Sequence, residues 1–267
     1  MSEVYRKSKR EERIGQKRIN CQGCLMKVIE YQNSNNITVE FQDEYKYKTK
    51  NSWANFNIGN IRNLYTPTVC GVGIVGSKYK TSFNNIHFKE YSTWKDILRR
   101  CYCENYTTKN STYKDCSVCD EWLLYENFYE WLHSQENFEK WLNGDRWAID
   151  KDIIKKGNKI YCPEYCCLVP MNVNSLFLKN DINRGEYPVG IHYNKRARSF
   201  VPSCNDPYIG KAVNLGYYGK PDDAFYLGYK PYKEKIIKQV AEDEYKKGNI
   251  IKRCYDSMMS YEVEITD

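Results

Sequence analysis

"VGIHYNKRARSFVPSC", residues 189–204, and "GKAVNLGYYGKPDDAF", residues 210–225, form the stretch on which the fold turns. The runs "VGIHY", "SFVPSC" and "AVNLGYY" are short, rich in β-branched and aromatic residues, and divided by turn-forming residues, so they predict three strands of one sheet. A long helix should open at "KPDDAF". Pro221 suits a first helical turn, and Asp222 and Asp223 suit the positive end of the helix dipole. Phe225, Tyr229, Tyr232, Ile236 and Val240 follow at steps of three and four, an apolar face that can lie on the sheet. Pro231, inside that pattern, predicts a kink. Between the first two strands, "NKRAR" (194–198) sets a dense cationic turn, which reads either as a solvated hairpin tip or as a contact for an anionic partner.

Working outward, "AIDKDIIKKGNKIYCPEYCCLVPMNVN" (148–174) places Asp150 and Asp152 on either side of Lys151. Two readings stand side by side: a metal site, and a turn anchored by carboxylates between Ile149 and Ile153. Before it, "YSTWKDILRRCY" (91–102) has Trp94, Ile97, Leu98 and Cys101 at helical spacing behind Ser92 or Thr93 as N-cap. "DEWLLYENFYEWLH" (120–133) predicts a second helix whose Trp122, Tyr125, Phe128 or Tyr129, and Trp131 to Leu132 enter a core. Residues 77–90 are polar and read as a linker. Further back, "LMKVIEY", "NITVEF" and "YKYKTK" are strand-like, and alternation puts Ile37, Val39 and Phe41 on one face. Residues 1–20 carry Arg6, Lys7, Lys9, Arg10, Arg13, Lys17 and Arg18, the composition of a flexible basic arm.

The 267 residues hold 41 Lys and Arg against 34 Asp and Glu, for a net charge of +7. That balance favours an anionic partner, and 25 tyrosines among the basic and amide residues suit nucleic-acid contacts as well as small cores. No run approaches the roughly 18 apolar residues of a membrane span, and the charged start does not read as a signal peptide, so we expect a cytosolic protein with no membrane partner. The 12 cysteines are then reduced thiols, buried apolar groups or metal ligands.

Two segments carry family resemblances. "VGIHYNKRARSFVPSC…GKAVNLGYYGKPDDAFYLGYKPYKE" resembles the AP2 DNA-binding domain, departing from its pattern at Tyr218, Lys220 and Gly228. The resemblance implies a three-stranded sheet entering the major groove of double-stranded DNA, with Tyr193, Lys195, Arg196, Arg198 and Lys211 meeting it. Arg is independently the side chain best suited to guanine, and Lys to phosphate. "STWKDILRRCY", "YKDCSVCDEWLLYENFYEWL" and "IDKDIIKKGNKIYCPEYCCLVPMNVNSL" together resemble phage-encoded HNH endonucleases that carry an AP2 domain, which would act in the host cytosol.

Laid on the ββα-metal pattern, Asp150 matches the aspartate, Asn158 the loop asparagine, and Asn172 or Asn174 the helix ligand. Lys151 falls where the histidine base belongs, and Asp152 is an extra carboxylate for Mg²⁺. The chemistry needs a base to deprotonate water and a metal to stabilise charge growing on the phosphate. Flanking carboxylates should raise the lysine pKa, making Lys151 a poor base. Cys116 and Cys119, with Cys166 and Cys167, stand at a spacing that can hold structural Zn²⁺; buried apolar cysteines are the competing reading.

The sequence thus predicts an α+β chain: a basic arm (1–20), a small β module (21–78), an HNH-like ββα domain with helices (91–180), and an AP2-like sheet packed on a long helix (187–267). The functions in play are a Mg²⁺-dependent DNA endonuclease, a DNA-binding regulator without catalysis, and a phage inhibitor that binds a host protein.

Overall fold

The computed structural model describes residues 10–108, 113, 115–177 and 186–267. The chain is mixed α+β, with several small antiparallel sheets, and divides into two compact units, Met1–Lys114 with Val118–Glu130 and Asp115–Ser117 with Trp131–Asp267.

The first unit begins with a four-stranded antiparallel meander, β1 (Lys17–Ile19), β2 (Leu25–Asn33), β3 (Asn36–Phe41) and β4 (Lys48–Asn51). Ile37, Val39 and Phe41 are buried on one face of β3, as alternation predicts, and meet Met26, Val28 and Phe56. The arm expected over 1–20 is folded where it is described. Residues 10–13 are helical, Lys17–Ile19 pairs with Leu25–Lys27, and the Arg13 guanidinium lies 4.2 Å from the Trp53 ring while donating to Tyr31 Oη. Arg6, Lys7 and Lys9 lie outside the described residues.

Helix α1 (Lys89–Tyr102) starts one turn before the cap expected at Ser92 or Thr93, with Phe88 at the N-cap position. The expected linker is also structured: a short hairpin pairs Ser82–Phe83 with Ile86–His87. The predicted helix over 120–133 is broken at Leu124 into Asp120–Leu123 and α2 (Tyr125–His133). The break has a tertiary cause. Ile74 N–H donates to Leu123 O, and Tyr125 N–H to Ile74 O, which holds Leu124 extended in a strand-like bridge.

The second unit contains the strand pair β5 (Trp147–Asp150) and β6 (Cys167–Pro170), with Asp150 opposite Cys167, followed by the one-turn helix α3 (Met171–Asn174). Next come β7 (Ile191–Asn194), β8 (Ser199–Asp206) and β9 (Lys211–Asn214), an antiparallel sheet in sequence order. These are the three strands read from "VGIHY", "SFVPSC" and "AVNLGYY". The helix begins at Pro221, passes through a π-helical segment (Ala224–Tyr229), and continues as α4 (Lys230–Lys246). Pro231 accounts for the wide turn: it has no N–H to give, and its ring needs room beside the preceding turn. A further helix, α5 (Lys252–Met259), was not expected from the sequence.

One core joins the two parts of this unit. Ile153, Cys167, Val169 and Val173 of the ββα segment pack in the same buried cluster as Ile191, Cys204, Phe225, Ile236, Val240 and Met258. The sequence suggested separate domains meeting near 180. In the structure, apolar residues from both sides of that boundary share one buried cluster.

Two local features explain how sheet and helix approach so closely. Gly190 has φ +74°, and a Cβ there would sit 2.1 Å from the Tyr229 ring, so only glycine fits. Gly228 stands where the AP2 pattern has alanine. Here Pro202 of β8 takes that space, and a Cβ on Gly228 would fall 2.6 Å from its Cγ.

Candidate nucleic-acid interface and ββα site

Register decides which side chains of the C-terminal sheet are available. Ile191 pairs with Pro202, His192 with Val201, Tyr193 with Phe200, and Asp206 with Lys211. Pro202, Cys204 and Asp206 belong to the helix side: Pro202 abuts Gly228, Cys204 joins the core with Phe225, and Asp206 Oδ2 accepts from Tyr232 Oη at 2.7 Å. Strand alternation then assigns Tyr193 and Lys211 to that same side. Tyr193 accordingly lies against Phe200, with ring centroids 5.1 Å apart. The opposite face carries His192, Asn194, Ser199, Ser203, Asn205, Ala212 and Asn214 around a buried Val201, mostly amides and hydroxyls with one imidazole. Sequence reasoning missed this row. Alternation along β7 and β8 held the signal, once the pairing register was known.

Lys195, Arg196 and Arg198 are all exposed in the turn between β7 and β8. The turn is locked from within: Asn194 Oδ1 accepts from the N–H groups of Arg196 and Ala197 at 3.0 and 3.1 Å. Arg198 takes the left-handed conformation at φ +49°. The backbone that carries these three cations is thereby held next to the amide row.

The ββα site is built differently. Asp150 closes β5 and is buried at 8 % exposure. Its Oδ1 accepts from the N–H groups of Asp152 and Ile153, both at 2.8 Å. Burial and the Asp152 charge push its carboxyl up to about 7, against the pull of those two N–H groups. Lys151 is 12 % exposed, and its Nζ donates to Asp152 Oδ2 at 3.1 Å. Burial works to lower its pKa, but the Asp152 carboxylate outweighs that and holds it above the ordinary lysine value. As the sequence led us to expect, Lys151 is a charged amine and a poor base.

Asn158 clamps the loop. Its Nδ2 donates to the carbonyls of Lys151 and Ile160, each at 2.7 Å. Asn172 Nδ2 donates to Glu244 Oε1 at 3.3 Å, and Asn174 Nδ2 donates to Met171 Sδ at 3.7 Å. The structure thus brings Asp150, Lys151, Asp152 and Asn158 together around one loop.

Of the cysteines, Cys166 and Cys167 are fully buried, and burial raises the Cys166 thiol well above its usual value. A hydrogen bond with Cys254 does the same for Cys167. Among the described residues, no three His, Cys, Asp or Glu side chains group so as to hold a metal ion. Nor is any helix of those residues long and apolar enough to cross a membrane.

Comparison with family models, curated proteins and solved structures gives no match.

Proposed function

We propose that this chain is a double-stranded DNA-binding protein whose C-terminal sheet and basic turn are the contact surface, and whose ββα segment supports that surface rather than cutting DNA. The observation that carries the reading is the turn 194–198, where Lys195, Arg196 and Arg198 are exposed on a backbone locked by Asn194. A twisted antiparallel ribbon fits the major groove. Asn side chains such as Asn205 and Asn214 can pair with adenine edges, while the turn meets phosphate or guanine. Tyr193 and Lys211 lie on the other strand face but are exposed, and remain candidate contacts beside the turn.

Hydrolysis has weaker support. The residue at the base position is a charged lysine, and Asn158 is occupied by backbone carbonyls. One observation favours a second reading, Mg²⁺-dependent cleavage: Asp150 and Asp152 stand side by side, and a carboxyl near 7 is suited to proton transfer at neutral pH. Asp150 and Asp152 would hold the ion, which would stabilise charge on the phosphate.

The test is duplex binding and plasmid cleavage by the same preparation, with Mg²⁺ and with Mn²⁺. The proposal expects salt-sensitive binding that Arg196→Ala with Arg198→Ala weakens, and no cutting. Cutting abolished by Asp150→Asn would establish the second reading. Failure to bind any duplex at low salt, with a host protein co-purifying, would replace both with a protein-binding role.

A further inference from the structure

In the first unit two thiols face one another away from everything described above. Cys103 Sγ lies 2.7 Å from Cys70 Sγ, and both residues are partly exposed. A disulfide bond is about 2.05 Å long, so the sulfurs are within about 0.7 Å of bonding distance. We propose that Cys70 and Cys103 are a disulfide-forming site, oxidised by exchange with a small disulfide such as glutathione disulfide.

The backbone on each side holds the pair in place. Cys70 sits in a tight turn closed by Gly73 N–H donating to Val69 O at 2.8 Å, with φ +50° at Cys70 and +77° at Gly71. Cys103 caps the C-terminus of α1, its N–H donating to Arg99 O at 3.2 Å. The two sulfurs already face one another at 2.7 Å.

The surroundings suit the reagent. The charges of Lys95 and Arg99 act on Cys70, and both side chains are exposed, so an anionic disulfide is drawn to this spot. Burial and the hydrogen bond from Cys103 push the Cys70 thiol up to about 11, which slows its attack on a disulfide. A second thiol contact, between Cys167 and Cys254, is fully buried in the second unit, where a reagent cannot reach.

The exchange balances. One protein thiolate attacks glutathione disulfide, releasing glutathione and leaving a mixed disulfide; the second protein thiol loses its proton and displaces the other glutathione. The protein dithiol is oxidised by two electrons, and the glutathione disulfide is reduced to two thiols. The new bond ties the turn at Val69–Gly73 to the end of α1, across a sequence separation of 33 residues.

The test uses the whole chain, fully reduced, then equilibrated with glutathione disulfide, alkylated and mapped by peptide mass spectrometry. We expect a Cys70–Cys103 cross-linked peptide, with Cys166, Cys167 and Cys204 still free. Thermal melting should rise by roughly 5 °C on oxidation of wild type and not of Cys103→Ser. In that variant Cys70 should end as a glutathione adduct. Recovery of Cys70 and Cys103 as separately alkylated or separately glutathionylated residues in wild type would overturn the proposal, whether or not the variant folds.

Discussion

The loop at Asp150 and the hairpin tip at Asn194 are built on the same device and end in opposite chemistry. In each, a side-chain oxygen accepts two successive backbone N–H groups, from Asp152 and Ile153 in one and from Arg196 and Ala197 in the other. In each, basic residues follow at once. The Asp150 loop is buried, so its lysine is sealed against Asp152 and its carboxyl is held near 7. The Asn194 turn is exposed, so the same local fold offers its cations to solvent. What separates a structural turn from a binding tip here is burial, because a charge inside must find its partner within the chain.

The sharpest way to break the comparison is to remove the accepting oxygen from both turns. Asp150→Ala leaves two buried N–H groups without an acceptor, and should cost about 2–3 kcal/mol in urea unfolding at pH 5. Asp150→Asn keeps an acceptor and should stay within about 1 kcal/mol of wild type there. Equal losses for the two variants would mean that the Asp150 turn is not held by these bonds.

The second prediction sets the two groups of cations against each other. Replacing Lys195, Arg196 and Arg198 by Ala should weaken duplex binding about twentyfold and reduce the slope of log affinity against log salt by about 2 to 3. Lys151→Met, in the buried loop, should leave affinity within about twofold in folded protein. A larger effect from Lys151 than from the turn would place the DNA surface at the ββα segment.

Much of this contrast was legible in the sequence, and the missing part has a physical reason. Alternation and turn residues gave three strands, Pro221 gave the helix start, and flanking carboxylates marked Lys151 as charged. Tyr193 and Lys211 were placed at DNA by the AP2 resemblance, and the strand face each occupies follows only from pairing across β7, β8 and β9, which one strand cannot reveal. The break at Leu124 needed Ile74, fifty residues away, and the shared core needed Val173 and Phe225 to meet. Helix α5 escaped notice because only Cys254 and Met258 of its residues are buried, too sparse a stripe to show in a charged segment.

Titration sharpens the buried side. The folded-state pKa of Asp150 lies near 7, above its ordinary value of 3.8, so the folded chain holds this proton more tightly than the unfolded one. The resulting stability is complete below about pH 4 and is lost as pH rises towards 7, by at most about 1.4 kcal/mol per pH unit. Urea midpoints between pH 4.5 and 7.5 should therefore fall for wild type relative to Asp150→Asn. Parallel curves would show that burial does not govern this carboxyl.

The smallest effect belongs to the exposed tip. Asn194→Ala removes the same two acceptor contacts as Asp150→Ala, but water can satisfy the Arg196 and Ala197 N–H groups, so the stability loss should be about 0.5–1 kcal/mol. Its DNA affinity should nonetheless fall by about two- to fivefold, because the three cations lose their fixed spacing and must be ordered on binding. The salt slope should stay at the wild-type value, since no charge is removed. An unchanged affinity would mean that the turn binds as a flexible cationic segment, and the lock at Asn194 would then serve the hairpin alone.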